Sequence, residues 1–242
     1  MPAPSLERLV PIVHAVLLAG PAIMVAPRGA SESNGLGLLR SPFDGTGAWL
    51  ATCAYLEEAS IAAFGRLAGE LEAYGAPSTL VKRARDAARD EARHALAMRR
   101  LARRAGREVP PPATCSSQRR TLEEIAIENA KEGCVRETYG ALLATFQAMT
   151  AEDAEVKATM QAIAEDEIVH AALAWDVRAW LESVLDEEQR ARVDAAAQAT
   201  LHALAEELAI EPDRFVVREL GVPTAAQATR MLEELFSLRA AA

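Results

Sequence analysis

The sequence predicts an all-α protein centred on a four-helix bundle: two antiparallel helix hairpins joined by a long crossover, with additional C-terminal helices. Three observations predict it. Aromatic residues make up only 5% of the 242 positions and alanine is abundant, a balance that favours helices over sheets. Four long stretches carry apolar residues at helical spacing. One phrase, Asp-Glu-x-x-His, is written twice, at residues 90–94 and 166–170.

The elements follow in order. Residues 1–46 read as an irregular N-terminal arm. Residues 9–26 are apolar, but Pro11, His14, Gly20 and Pro21 interrupt them, so no membrane-spanning helix is expected. Glu7 offsets Arg8 and Pro27 follows Ala26, a poor start and a poor cleavage site for a signal peptide. A cytoplasmic chain is the expectation, with export the alternative. The first helix is expected over 47–74, with Leu50, Ala54, Ile61, Phe64, Ala68 and Leu71 in one stripe and Glu57 in its gap. A short turn at 75–78 offers Ser78 as N-cap. The second helix, 79–104, places Leu80, Ala84, Ala87, Glu91, His94, Met98 and Leu101 on one face. Its short connection makes it antiparallel to the first.

The next break contains Pro110, Pro111 and Pro112 and cannot be helical. The third helix, 121–149, aligns Ile125, Glu128, Glu132, Val135, Tyr139, Leu142 and Phe146. Thr150-Ala151-Glu152-Asp153 resembles a capping box that starts a fourth helix. That helix carries Met160, Ile163, Glu167, His170, Ala174, Val177 and Leu181 in register. Helices of about 27 residues span about 40 Å, and an extended link of roughly 14 residues reaches about 46 Å. The link between the second and third helices can therefore run from one end of the bundle to the other. Residues 47–182 form the bundle, and residues 183–242 a C-terminal extension with helices over 186–209 and 224–240. The extension could cap the bundle, shield the site or make a homodimer contact.

Composition excludes several functions. At 50% hydrophobic the chain can bury a sizeable core. A net charge of −9 and a pI near 5.1 argue against nucleic acid. Arg99, Arg100, Arg103 and Arg104, with Arg119 and Arg120, read as helix-terminal charges that favour the dipole or solvate a face. The three cysteines are an odd number without a Cys-x-x-Cys pair, so neither a disulfide framework nor a sulfur-ligated zinc or iron site is expected.

The chemistry lies in the doubled phrase. Glu and His three apart point the same way from a helix. Glu57 and Glu132 sit at core-facing positions one hairpin upstream: Glu57 to Glu91 is 34 positions and Glu132 to Glu167 is 35. The near-equal spacing reads as a duplicated hairpin. Four buried carboxylates would each cost several kcal/mol without cations. Two divalent ions held by Glu57, Glu91, His94, Glu132, Glu167 and His170 would neutralise them. Mixed oxygen and nitrogen ligation suits iron, manganese or a mixed pair. A ligating histidine usually donates its other N–H to a carboxylate. Asp90 and Asp166 could serve, each toward its own histidine or that of the other phrase, or be solvated surface charges.

On these residues the chain resembles the ferritin-like superfamily of dinuclear non-haem iron carboxylate proteins. Asp-Glu-Ala-Arg-His at 90–94 is similar to the Asp/Glu-Glu-x-Arg-His phrase of diiron oxygenases and acyl-carrier-protein desaturases. Residues 56–64 and 132–138 look like phrases of a bacterial ferritin-like domain family of uncertain function. The resemblance covers roughly residues 47–181 and implies two non-haem irons and reaction with dioxygen or peroxide. Storage ferritins generally lack a second Glu-x-x-His, and rubrerythrins add a cysteine-ligated iron. Bacterioferritins share the symmetric ligand set but are shorter chains. Amine-oxidising relatives tend to carry a third histidine where this chain has Ile163.

The expected function is therefore an iron-dependent oxidoreductase using a small-molecule substrate and an electron donor. The alternatives are a ferroxidase or protective iron binder without organic substrate, and a structural bundle with a vestigial site. Glu58 neighbours Glu57 on a weaker stripe, so periodicity prefers Glu57. Glu128, one turn before Glu132, could be a base or an extra ligand, or more often a partly exposed helix residue. Tyr139 could be a redox or hydrogen-bonding residue, or more commonly a core tyrosine with a satisfied hydroxyl. Glu137 lies five positions beyond Glu132, about 140° away around an α-helix, and is not expected as a ligand. His14 and His202 lack ligand spacing.

Overall fold

The computed structural model describes residues 45–112 and 119–240. Residues 1–44 of the N-terminal arm, including His14, and Cys115 lie outside the described residues, while Gly45 and Thr46, expected in the arm, open the first helix. Among the described residues all regular structure is helical. The first hairpin is α1 (Gly45–Ala73) and α2 (Ser78–Arg104). The next helix runs from Leu122 to Thr150 in three parts: α3 (Leu122–Glu128), a π-helical segment (Asn129–Glu137) and α4 (Thr138–Thr150). Then come α5 (Ala154–Val184), α6 (Glu187–Leu208), the short α7 (Arg214–Leu220) and α8 (Ala225–Ala240). No helix among the described residues is long and apolar enough to cross a membrane.

The helix ends follow local chemistry, with two departures from expectation. Pro77, not Ser78, holds the N-cap position of α2, without a side-chain bond. Asp153, not Thr150, caps α5, accepting from the backbone N–H of Glu155 and Val156. A carboxylate there meets the helix dipole as well as two orphan donors. Thr150 instead ends α4, bonding back to the Phe146 carbonyl. Thr121 with Glu124, and Asp186 with Gln189, form capping boxes at α3 and α6. The α7 helix, unexpected from sequence, is capped by Asp213 and ends at Gly221 with φ 68°. Glycine suits this left-handed position.

The described ends of the connection after α2 lie at opposite ends of α1. Where α2 ends, Ala105 and Arg107 lie against Gly47, near the start of α1. Where the chain returns, Arg120 forms a two-pronged pair with Glu70 and accepts from the Tyr74 hydroxyl, at the far end of α1. Two antiparallel hairpins are thus joined by an end-to-end link. Arg104 closes the opposite junction by pairing with Asp153 and Glu155 at the start of α5.

Two apolar cores result. The larger joins Leu71, Ile125, Val135, Tyr139, Leu142, Phe146, Trp175 and Leu181 and extends to Met231 and Leu235 of α8. The smaller joins Leu50, Met98, Leu101, Val156, Ile163 and Leu220. The extension therefore packs on the bundle. In addition α6 lies along α3 and the π segment, where Arg136 forms a two-pronged pair with Glu207.

Candidate metal centre

Four helices bring carboxylates and imidazoles together. Glu91 and His94 share the buried face of α2, and Glu167 and His170 that of α5. Glu57 comes from α1. One group of potential ligand atoms comprises Glu57, Glu91, His94 and Glu167; another comprises Glu137, Glu167 and His170; within each, the atoms lie within 4.8 Å of one another. Glu167 belongs to both. Glu91 also reaches both, since its Oε1 lies 3.0 Å from His170 Nδ1.

Both imidazoles point the same nitrogen inward. His94 Nδ1 lies 3.4 Å from Glu57 and 3.4 Å from Glu167. His170 Nδ1 lies 3.6 Å from Glu167. Both Nδ1 atoms are buried without a hydrogen-bond partner, an arrangement that is costly unless another atom binds there. Two ligands about 2.1 Å from one ion and at right angles to each other lie about 3 Å apart. The nitrogen-to-oxygen separations in the cluster are of that size, so these residues fit a metal ion.

The outward nitrogens are tied across the hairpins. His94 Nε2–H donates to Asp166 (3.0 Å) and His170 Nε2–H faces Asp90 (3.4 Å). Each aspartate thus serves the histidine of the other phrase. The bond fixes the tautomer that leaves Nδ1 a lone pair for the site. Arg93 joins the two aspartates, donating to Asp90 at 2.6 Å and to Asp166 at 3.0 Å. Phe64 packs on the His170 ring with centroids 5.1 Å apart, an apolar wall on that side.

Electrostatics reflect the crowding. Burial works against charge on both imidazoles, yet the carboxylates around them push each up to about 11. Burial also raises Glu91, to about 8, against the pull of His170. Burial and the Glu167 and Glu91 carboxylates push Glu137 well above the usual carboxylate range. The facing imidazoles overcome burial at Glu167 and hold it low.

Glu132 is not in the cluster. Its side chain is 57% exposed and lies 3.8 Å from Arg136. Glu137 is the residue this helix contributes. The cause is the π segment: an α-helix turns 100° per residue, but the wider π turn brings position 137 round to the interior. The segment is fastened to α5. Asn129 Nδ2 donates to the Ala174 carbonyl at 2.9 Å, and Trp175 Nε1 donates to Thr138 Oγ1 at 3.0 Å. Gly133 permits the contact, since a Cβ there would lie 2.6 Å from the Ala174 Cβ. The spacing from Glu137 to Glu167 is 30 positions, so the two half-sites do not share one interval. A signal for Glu137 existed. Ala130, Cys134, Ala141 and Ala144 are buried at helical spacing on either side of it, a stripe of small residues outweighed by the larger apolar one.

Other candidates fall outside. Glu58 pairs with Arg99, leaving Glu57 for the interior. Glu128 pairs with Arg120 and Arg66. The Tyr139 hydroxyl is buried without a partner, and its ring belongs to the larger apolar core. His202 is exposed. Cys53 and Cys134 carry thiols, and burial pushes Cys53 up to about 12.

Comparison with protein-family models, with curated proteins and with solved structures gives no match.

Proposed function

We propose that the chain is a ferritin-like dinuclear iron protein that activates dioxygen or peroxide to oxidise an organic substrate. One observation carries this reading most: two buried Nδ1 atoms without hydrogen-bond partners face four carboxylates, while each Nε2 faces an aspartate. In this reading Glu57, Glu91, His94, Glu137, Glu167 and His170 would together hold the two ions. Such a pair would supply electrons, and open coordination positions for an oxidant.

The chain's own residues do the rest. Asp166 and Asp90 orient the imidazoles and keep their inward nitrogens unprotonated once metal is bound. Phe64 packs on the His170 ring and limits water on that side. The carboxylates would balance the positive charge of the ions. Nothing in these groups selects the substrate.

The test is metal content after growth with iron, with the absorption spectrum. About two irons per chain are expected, lost on Glu91→Ala with Glu167→Ala. Fewer than about one iron per chain, unchanged by that double substitution, would overturn the reading.

A further inference from the structure

A second concave site lies away from the cluster, where α3, the end of α5 and the start of α6 meet. It is a cavity of about 330 Å³, at the small end of the range for small-molecule sites. Arg178 lines it, eight residues beyond His170 on α5 and so about 12 Å along the helix. The metal reading uses none of its lining residues.

Arg178 is 5% exposed. Its Nε donates to Glu182 Oε1 and its Nη2 to Asp194 Oδ1, and both acids also line the cavity. The third arm of the fork, Nη1, is buried without a hydrogen-bond partner. A guanidinium with one arm empty is costly in the interior, because each N–H taken from water needs an acceptor in return. Arg190 shapes the same corner. Its Nη1 donates to the carbonyls of Glu182 (3.0 Å) and Leu185 (2.9 Å), closing the C-terminal end of α5. Much of the remaining wall is aliphatic: Leu181, Leu185 and Val193 are each 5% exposed or less.

We propose that this cavity binds a free aliphatic amino acid. The inference stands apart from the iron reading. Charge selects a zwitterion. The wall carries two arginines, Arg178 and Arg190, against three acids, Glu182, Glu187 and Asp194. A carboxylate alone would add to an existing negative excess, and an amine alone would leave Nη1 empty. Both groups on one carbon answer both needs. The carboxylate accepts from Arg178 Nη1, and the ammonium donates to the second oxygens of Glu182 and Asp194. Leu181, Leu185 and Val193 then cover an apolar side chain in preference to a charged one.

The experiment titrates the full chain, iron-loaded and metal-free, with L-leucine by calorimetry. Arg178 Cζ lies 5.7 Å from the centre of the Trp175 ring, so indole fluorescence gives a second readout. The comparison ligands are isocaproate, which lacks the ammonium, isoamylamine, which lacks the carboxylate, and L-glutamate, which lacks the apolar side chain. One site per chain is expected, with each comparison ligand at least about tenfold weaker. Ala191 is exposed at the cavity wall, so Ala191→Phe should fill the cavity and abolish binding while circular dichroism stays unchanged. Arg178→Met should abolish binding too; where that variant fails to fold, Ala191→Phe carries the test. Arg214→Gln, on α7, should bind as the parent does. The metal-free chain should bind as well as the iron-loaded one, so failure of the iron reading leaves this test intact. No heat and no fluorescence change at about 10 mM L-leucine, equal binding of the acid or the amine, or full binding by Ala191→Phe would overturn the proposal.

Discussion

Glu132 and Glu137 stand five positions apart, one facing solvent and one facing the cluster. In the proposed site Glu137→Ala should therefore remove about half of the bound iron, and Glu132→Ala should leave it in place; metal analysis of the purified variants decides. The titrating groups predict a pH dependence. Without metal, both imidazoles near 11 and Glu91 near 8 hold protons at neutral pH. Metal must displace them, so apparent affinity rises with pH, by about tenfold per unit for each proton released. Calorimetry in buffers of different ionisation enthalpy counts those protons; none released would contradict the site. The sign for folding is opposite. A raised histidine pKa stabilises the metal-free fold fully below about 6.5 and loses that contribution as pH passes about 11. The metal-free protein should therefore melt lower at alkaline pH than at neutral pH.

The π segment is the element on which the proposed ligand set turns. It departs from α geometry in a helix of ordinary propensity, so its register is held by α5 and not by local preference. Gly133→Ala would force a Cβ to within 2.6 Å of Ala174. It should cost about 1–3 kcal/mol and shift Glu137, lowering both melting temperature and metal loading. Gly140→Ala, with nothing within 4 Å of its added Cβ, should instead stabilise by about 0.5–1 kcal/mol. If both substitutions behave alike in thermal melts, the close contact is not what holds the segment. Thr138 and Asn129 are the polar fasteners, because Trp175 and the Ala174 carbonyl have them as partners.

At the scale of the molecule, the crossover link is pinned where it returns. Glu70 is 6% exposed and holds Arg120 with both carboxylate oxygens. Glu70→Ala leaves a partly buried guanidinium with Glu128 as its remaining carboxylate partner. The expected loss is about 1.5–3 kcal/mol, read from denaturant unfolding with unchanged slope. A loss below about 0.5 kcal/mol would show that the pin is no more than a surface pair. The extension acts at the same scale. The Arg136–Glu207 pair joins α6 to the residue next to Glu137, so the C-terminal helices brace the cluster from behind.

Helical periodicity alone determined the two hairpins, the face shared by Glu91 and His94 and by Glu167 and His170, and the choice of Glu57 over Glu58. These follow from spacing, because a regular helix fixes which residues share a side. The length of the proline-bearing link was equally legible, since chain reach is a property of backbone geometry. Tertiary structure decided the rest. Glu137 enters the cluster because packing against Ala174 and Trp175 opens the helix into a π turn, and no local periodicity encodes a turn made by a neighbour. The aspartates serve opposite histidines because two antiparallel helices bring position 90 beside 170 and 94 beside 166. The sequence carries both phrases; only their packing makes each complete the other.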